Sequence, residues 1–256
     1  MRRWAPLLFL LAACAGGQPA ASSAPSTEAT TTTEATTTTV EPTTTTTEPT
    51  TTTTVPETTT TTAPPPPPTP TTLHPGDQSD TVLAMQQQLD GLGYWLGTPD
   101  GHYGGATQQA VMAFQKVTGL SRDGIAGPDT LAALATATRP APRGTETGIE
   151  IDLTRQILQV VADGQVTWTI NTSTGRPGWR TRPGDFHIYN QIDGMRHAPL
   201  GDLWRPKYFD GGIAIHGSSS IPGQPASHGC ARVSNAAIDF LWSSGLAPVG
   251  TAVSVY

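Results

Sequence analysis

Cysteine, charged residues and long apolar runs are all scarce in this chain of 256 residues. Only Cys14 and Cys230 carry thiols, and charged residues make up 13% of the sequence. Two cysteines cannot supply the paired Cys-x-x-Cys sets of a structural zinc site, and no His-Glu-x-x-His sequence is present. The apolar run from Trp4 to Leu11 is too short to span a bilayer.

A surplus of basic residues is missing as well. The formal net charge is −6, and the acidic excess lies before residue 72 and in residues 75–138. From residue 143 onwards, nine acidic and nine basic side chains balance. Nucleic-acid-binding proteins need a basic surplus for the phosphate backbone. Nucleic acid is therefore not an expected partner.

The N-terminus, MRRWAPLLFLLAAC, has the layout of a secretory signal, with two arginines, a short apolar run and small residues. Leu11-Ala12-Ala13-Cys14 resembles the lipobox of bacterial lipoproteins. The resemblance implies that residues 1–13 are a signal peptide and that lipid on Cys14 anchors an extracytoplasmic protein to the cell membrane. An ordinary secretory signal with an incidental Cys14 is the alternative. If Cys14 carries lipid, Cys230 has no disulfide partner within the chain.

Residues 14–72 consist almost entirely of Thr, Pro, Ala, Ser and Glu. Such a segment lacks the apolar side chains that offset the entropy of ordering, so it is predicted to be a disordered linker. Proline and glutamate favour an extended chain. We expect a stalk that carries the remaining residues, enough for one small domain and one of ordinary size, away from a membrane.

Residues 75–138 predict a small domain of three short helices. Apolar residues recur at helical spacing in three runs, within 82–92, 110–117 and 131–134. DGHYGGAT (100–107) and DGIAGPDT (123–130) repeat the pattern D-G-x-x-G-x-x-T, each just before a helix. Thr107 and Thr130 are therefore predicted to cap those helices.

The same segment resembles the peptidoglycan-binding domain found beside cell-wall enzymes. The likeness covers about sixty residues and includes LGY, DGxYG, AVxxFQ and DGxxGPxT. It implies a non-catalytic module that holds an enzyme on the wall, with peptidoglycan as the partner. Which of its residues touch glycan or peptide is not deducible from the sequence.

Residues 147–256 predict a mainly antiparallel β domain with few helices. Alternating or β-branched runs indicate six strands, with Asp163-Gly164 as a hairpin turn. The predicted strands are 149–153, 156–162, 166–170, 186–190, 212–216 and 251–256. One helix is predicted after Ser234, with Gly245 at its end.

The second cysteine lies in IAIHGSSSIPGQPASHGCARVSN (213–235), close to two histidines. A thiol becomes a good nucleophile when an imidazole takes its proton and N–H groups face the developing oxyanion. On these residues alone, three interpretations stay open. Cys230 is a nucleophile paired with a histidine, or a zinc ligand with His216 and His228, or a small buried side chain.

GIAIHG followed by SHGCARVSN resembles the active-site signature of L,D-transpeptidases of the YkuD type. The upstream STGRPGWRTRPGDFHI resembles the family's STG…TPxGxF segment. The resemblance implies a β-sandwich in which Cys230 is the nucleophile, His216 is its base and the Gly217 carbonyl orients the imidazole. It implies no cofactor and no metal.

The resemblance also implies an oxyanion hole from the backbone N–H groups around His228, Gly229 and Cys230, with His228 as a support of that loop. Substrate contacts are expected at three motif positions, Ser227, Arg232 and Asn235. For Arg232, a structural ion pair is an equal alternative to a substrate carboxylate. Ala231 stands where the family usually has a larger aliphatic residue, which leaves the fine geometry open.

The implied reaction is a two-step acyl transfer between peptide stems of the wall. Cys230 would attack a tetrapeptide and release D-alanine, and a second stem would then accept the acyl group in a 3→3 cross-link. Hydrolysis by water, attachment of a protein and a catalytically inactive wall-binding protein are the alternatives. Six basic residues before the site would meet anionic stems or form a solvated surface: Arg176, Arg180, Arg182, Arg196, Arg205 and Lys207.

Overall fold

The computed structural model describes residues 71–256, so the predicted signal peptide, Cys14 and nearly all of the predicted linker lie outside the described residues. The described residues fall within one compact unit. None of their helices is both long and apolar enough to cross a membrane. The helices are α1 (Asp80–Gly91), α2 (Gly105–Thr118), α3 (Pro128–Ala135) and α4 (Asn235–Ser243).

The three predicted helices of the small domain are confirmed, and their ends follow from local chemistry. Ser79 accepts a hydrogen bond from Val82 N at 3.2 Å and so caps α1. Gly119 ends α2 in the left-handed region at φ 74°, where a side chain would be strained. Pro128 occupies the first turn of α3.

The prediction that Thr107 and Thr130 cap helices is wrong. The caps are Gly104 and Gly127, and the threonines lie inside the first turns. Each hydroxyl instead accepts a hydrogen bond from a buried glutamine amide, Gln86 to Thr107 at 2.9 Å and Gln115 to Thr130 at 3.2 Å.

The same two glutamines explain the repeated D-G-x-x-G-x-x-T pattern. Gln86 donates to the Asp100 carboxylate at 3.0 Å, and Gln115 donates to the Asp123 carboxylate at 2.8 Å. Each glutamine carbonyl also accepts a backbone N–H of its loop, from Gly101 at 2.7 Å or Gly124 at 2.9 Å. The repeat therefore encodes two turns that wrap around a buried amide, since a buried polar group needs its hydrogen bonds satisfied.

The large domain is a pair of five-stranded sheets, as the predicted β-sandwich requires. The first sheet has the order β3-β2-β1-β10-β4, and the second has β5-β7-β8-β9 with β6 also paired to β7. Six strand pairs are antiparallel, whereas β1–β10 and β8–β9 are parallel. The strands are β1 (Gly148–Asp152), β2 (Ile157–Ala162), β3 (Gln165–Asn171), β4 (Gly184–His187), β5 (Asn190–Gln191), β6 (Met195–Ala198), β7 (Gly201–Asp210), β8 (Ile213–Ser218), β9 (Ala231–Ser234) and β10 (Ala252–Val255).

One predicted strand is misplaced, and three strands of the structure were not predicted. The predicted strand 186–190 is divided between β4 in the first sheet and β5 in the second. The missed strands β6 and β7 show no regular apolar alternation in their sequences, and β6 and the first half of β7 are exposed or half-buried. Strand β9 does alternate, with Ala231 and Val233 buried, but four residues are too few to mark a strand. The Asp163-Gly164 turn is confirmed, with both residues at positive φ between β2 and β3.

The small domain contributes directly to the core of the large one. Trp95, in the loop after α1, is 9% exposed and belongs to the apolar cluster between the sheets. Its ring stacks on Phe240 of α4 with centroids 5.3 Å apart. Beside it, the backbone of Thr169 in the edge strand β3 makes two hydrogen bonds. Thr169 N donates to Gly93 O at 2.6 Å, and Thr169 O accepts from Trp95 N at 3.1 Å. The loop thus covers an edge that would otherwise be unpaired.

Trp95→Ala is expected to lower the free energy of unfolding by about 3–5 kcal/mol, because it empties a buried aromatic site shared by both domains. Urea denaturation followed by circular dichroism measures this loss. Trp179→Ala, which removes a tryptophan that is 43% exposed, is the control and should cost much less. A two-step unfolding curve in which Trp95→Ala shifts only one step would contradict the shared core.

Candidate active site

A cleft on the second sheet collects most of the residues that the motifs singled out. Its volume is about 1250 Å³, and His216, Ser227, His228, Cys230 and Arg232 line it. The volume exceeds what a drug-sized ligand needs, so the cleft has room for a peptide segment.

Strand register explains how His216 and Cys230 reach the same cleft. β8 and β9 are parallel neighbours in which His216 pairs with Arg232. Paired residues of neighbouring strands share a face, so Arg232 lies on the same face as His216, and Cys230, directly before β9, lines the same cleft. The intervening Ala231 and Val233 point to the apolar core.

The backbone beside the imidazole fixes its protonation pattern. His216 Nδ1 lies 2.8 Å from Gly217 O. A carbonyl oxygen only accepts, so Nδ1 carries the proton in the neutral ring and Nε2 is left as an acceptor. A Cβ at Gly217 would lie 2.7 Å from Asn235 Oδ1 and from Ile238 Cγ2, which is why only glycine fits there.

Burial sets the charge state of both groups. His216 is 4% exposed, and burial lowers the pKa of its imidazole to about 4. Burial also raises the pKa of the Cys230 thiol. Near neutral pH, the resting pair is therefore a neutral imidazole and a neutral thiol, and proton transfer has to accompany attack on a substrate.

The free energy of unfolding is expected to rise with pH between about 4 and 6.5 through His216. Across this window the unfolded histidine binds a proton that the folded one does not, since the folded pKa is about 4 and the ordinary value is 6.5. The contribution is on the order of 3 kcal/mol. Urea denaturation at several pH values measures it, as the difference between the wild type and His216→Gln. A difference that stays constant between pH 4 and 7 would contradict the lowered pKa.

Two hydroxyl groups, one from Ser227 and one from Thr181, hold the loop around Cys230 through hydrogen bonds. Ser227 Oγ donates to Cys230 O at 2.6 Å and accepts from Gly229 N at 3.0 Å. Thr181 Oγ1 donates to Gly229 O at 2.7 Å and accepts from Gly175 N at 3.0 Å. Gly229 has φ 116°, a conformation that favours glycine. Ser227 is 1% exposed and its hydroxyl is engaged within the loop, so it supports the loop; the substrate contact expected from the sequence stays a prediction.

The same contacts narrow the candidates for an oxyanion hole. The Gly229 N–H already donates to Ser227 Oγ. Of the three predicted donors, the N–H groups of His228 and Cys230 therefore remain.

His228 lies at the rim of the cleft, away from the Gly217 carbonyl that orients His216. Its Nε2 is 2.8 Å from an Arg176 nitrogen, and its ring meets Trp179 edge-on with centroids 4.9 Å apart. The support role of His228 stays a prediction, for which these two contacts would provide the means.

The basic residues predicted near the site separate into two groups. Arg180, Arg196 and Arg232 line the cleft, and within residues 71–256 none of them forms an ion pair. Arg182 also lines it, but it binds Asp210 through two hydrogen bonds. The structural ion pair weighed for Arg232 is therefore not present among the described residues.

The other residues predicted to contact substrate lie outside the cleft. Arg205 binds Asp193 and Asp239. Lys207 is buried, with Nζ on Ala247 O at 2.9 Å and under the Trp242 ring at 4.1 Å. Asn235 opens α4 beside Gly217 and does not line the cleft.

The zinc interpretation had rested on His216, His228 and Cys230. Among residues 71–256, no group of three or more His, Cys, Asp or Glu side chains is arranged to hold a metal ion. His228 turns towards Arg176 and Trp179 instead.

Sequence reasoning missed the side chains that support the loop from a distance. Thr181 acts on Gly229 from 48 residues away, and Gln156 binds Thr174 of the STG segment from 18 residues away. No local pattern distinguishes these residues from ordinary polar positions. Gln156 has a left-handed conformation, with φ 63°, that is usual for glycine or asparagine, so a glutamine at this position gave no sign of it.

Comparison with known families covers both domains. Residues 78–134 match the peptidoglycan binding domain family, and residues 146–255 match the YkuD family of L,D-transpeptidase catalytic domains.

One solved structure is similar over nearly all of the described residues. It is the crystal structure of an L,D-transpeptidase from Xylanimonas cellulosilytica DSM 15894, with 52% identity and a TM-score of 0.71. The similarity covers 74% of this chain and 100% of that one.

Similarity to curated proteins is shorter. The chain is 46% identical over 55 residues to the N-acetylmuramoyl-L-alanine amidase CwlM of Mycobacterium tuberculosis, which is 22% of this chain and 14% of that protein. It is 44% identical over 69 residues to the amidase CwlL of Bacillus licheniformis, 26% of this chain and 19% of that protein. The chain thus spans well under two thirds of either amidase.

Proposed function

The chain belongs to the L,D-transpeptidase family, and from that membership we propose that it transfers acyl groups between peptide stems of the bacterial cell wall through a thioester on Cys230. The observation that supports this proposal most is the shared cleft. One neutral imidazole on β8 and one thiol, on the residue directly before β9, line this cleft, and Gly217 O leaves Nε2 of that imidazole free to accept a proton.

In the first step, Cys230 Sγ attacks the carbonyl carbon of the amide before the terminal D-alanine, and His216 Nε2 takes the thiol proton. The N–H groups of His228 and Cys230 face the oxyanion of the tetrahedral intermediate. The C–N bond then breaks, and the imidazolium gives its proton to the leaving D-alanine amine. A thioester on Cys230 remains.

In the second step, the side-chain amine of a neighbouring stem attacks the thioester. His216 accepts a proton from this amine, the C–S bond breaks and the thiol is restored. The product is a 3→3 cross-link. The unpaired Arg180, Arg196 and Arg232 suit a donor stem with free carboxylates, because guanidinium groups bind carboxylates strongly.

We further propose that the small domain, residues 75–138, holds the enzyme on peptidoglycan. Its family match and the similarity to two proteins named as N-acetylmuramoyl-L-alanine amidases support this role. A catalytic domain at 147–256 then works outside the cytoplasm. Residues 1–13 as a signal, a lipid on Cys14 and a linker at 14–72 complete the proposal, in which a lipoprotein reaches the wall from the membrane.

Product analysis with a defined disaccharide tetrapeptide tests the proposal. The expected result is release of D-alanine together with a dimer joined by a 3→3 bond, identified by mass spectrometry. Release of D-alanine without a dimer would indicate a carboxypeptidase that uses the same thioester. No release, in a folded protein that still binds wall fragments, would show a catalytically inactive wall-binding protein and overturn the proposal.

A further inference from the structure

Lys116 of α2 is buried where the two domains meet, and no carboxylate within residues 71–256 forms an ion pair with it. Its side chain is 2% exposed, and burial lowers the pKa of its amine to about 7. Nζ donates to two backbone carbonyls of the large domain, Gln156 O and Thr172 O, each at 2.9 Å. Burying a cation is costly, so the position calls for a role that an apolar residue would not fill.

The first of these carbonyls belongs to a strained residue. Gln156 is 1% exposed and has φ 63°, which costs a non-glycine residue of order 1–3 kcal/mol and persists only where surrounding contacts enforce it. Its carbonyl also accepts Thr172 N at 3.2 Å. Its side-chain amide binds Thr174 twice, accepting from Thr174 N at 2.8 Å and donating to Thr174 Oγ1 at 2.7 Å.

Thr174 in turn supports the segment that carries the nucleophile. Its carbonyl accepts the N–H groups of Ala226 at 3.0 Å and Ser227 at 2.9 Å. Ser227 Oγ donates to Cys230 O at 2.6 Å. A parallel contact runs from Thr172 Oγ1 to Arg232 O at 2.8 Å. An unbroken chain of hydrogen bonds therefore joins Lys116 to both sides of Cys230.

We propose that Lys116 of the small domain is a positioning residue for Cys230, acting through this chain of contacts. We call the chain the brace and define it as Lys116, Gln156, Thr172, Thr174 and Ser227. The proposal rests on the proposed function of Cys230 as the nucleophile. It makes the small domain a part of the catalytic scaffold in addition to a wall-binding module. Lys116 fixes the two carbonyls, which keeps Gln156 in its strained conformation and the Cys230 loop in register.

The simpler explanation of Lys116 is that it only holds the two domains together. A comparison with Arg139 distinguishes this explanation from a role in positioning Cys230. Arg139, in the segment between the domains, donates to Val166 O at 3.2 Å and Thr167 O at 2.9 Å in the large domain and to Gly91 O at 2.8 Å in the small one. Those carbonyls lie on β3 and at the end of α1, with no described hydrogen bond to the Cys230 loop. Arg139→Met is therefore the control for Lys116→Met: Arg139 is more exposed, but both substitutions remove nitrogen donors from backbone carbonyls and keep an aliphatic stem.

The experiment compares the full chain with Lys116→Met, Gln156→Gly and Arg139→Met. Lys116→Met is expected to lower kcat for D-alanine release between about tenfold and a hundredfold, the range expected for a nucleophile misplaced by up to an ångström, with KM nearly unchanged. Gln156→Gly keeps the left-handed backbone without strain but loses both bonds to Thr174, so it should show the same kcat loss. Arg139→Met should lower the melting temperature and leave kcat near the wild-type value.

Two further measurements do not depend on transpeptidase activity. The rate of Cys230 alkylation by iodoacetamide, followed by peptide mapping, and the hydrogen exchange of residues 226–230 should both change in Lys116→Met and Gln156→Gly only. Equal behaviour of all three variants, or wild-type kcat, alkylation and exchange in both brace variants, overturns the proposal. If Lys116→Met fails to fold, the kcat, alkylation and hydrogen exchange of Gln156→Gly test the proposal instead. A wild type without transpeptidase activity refutes the proposed function alone, because alkylation and exchange still decide on the brace.

Discussion

Cys230→Ala is expected to abolish formation of a covalent adduct with a carbapenem and to lower D-alanine release at least about 1000-fold. Removing the nucleophile of an acyl-transfer enzyme leaves only the weak catalysis of the oxyanion hole and of binding. Intact-mass spectrometry of the purified protein checks the adduct, and peptide mapping places it on the fragment that contains position 230.

Two controls separate chemistry from folding. Cys230→Ser keeps the shape of the side chain, but its hydroxyl is a far weaker nucleophile, so it should lose the adduct at an unchanged melting temperature. Ser219→Ala changes an exposed residue of the loop between His216 and Cys230 and should behave as wild type. An adduct of equal yield in Cys230→Ala would place the reactive group elsewhere and refute the thioester.

His216→Gln is expected to lower kcat/KM by about 10²–10⁴-fold, the usual contribution of a general base. The pH profile should change with it. In the wild type, kcat/KM should hold down to about pH 5 and fall near pH 4, where the buried imidazole gains its proton. In His216→Gln, the residual rate should rise steadily into the alkaline range, because the thiol, with its raised pKa, must lose its proton to solvent.

Initial rates of D-alanine release between pH 4 and 9 provide this measurement. His187→Gln, on the exposed strand β4, is the control and should keep both the rate and the profile. A His216→Gln enzyme within tenfold of the wild type would assign the base to another group. An acidic limb near pH 6.5 in the wild type would mean that the imidazole is solvated rather than buried.

The parts of this molecule that sequence predicted best are those encoded by local patterns. The three helices of the small domain and the helix after Ser234 follow from apolar spacing and from glycine or serine at their ends. The β2–β3 hairpin follows from Asp163-Gly164. The motifs predicted that His216 and Cys230 meet, and both side chains line one cleft because β8 and β9 are parallel neighbours.

What sequence could not predict depends on contacts between distant segments. Strands β6 and β7 form a ribbon beside the cleft, and their sequences show no regular apolar alternation that would mark them as strands, since one buried position of β7 is Lys207. A threonine just before an apolar run predicts a helix cap at Thr107. In the structure, its hydroxyl accepts a hydrogen bond from the side-chain amide of Gln86, 21 residues away in the sequence. The sequence predicted Arg205 and Lys207 to be basic residues near the site. In the structure, Arg205 forms an ion pair with Asp239, and Lys207 packs against the Trp242 ring.

The insertion of Trp95 into the larger domain bears on how such enzymes are divided for study or reuse. A cut between residues 138 and 147 looks like a natural domain boundary in the sequence, but it leaves the outer edge of β3 without Gly93 and Trp95 and uncovers the face of the Phe240 ring on which Trp95 stacks. An open strand edge beside a bare aromatic ring invites self-association. Residues 147–256 are therefore not an independent domain in the sense that a fusion needs. Fusing them to another wall-binding domain would require a replacement for the Trp95 side chain.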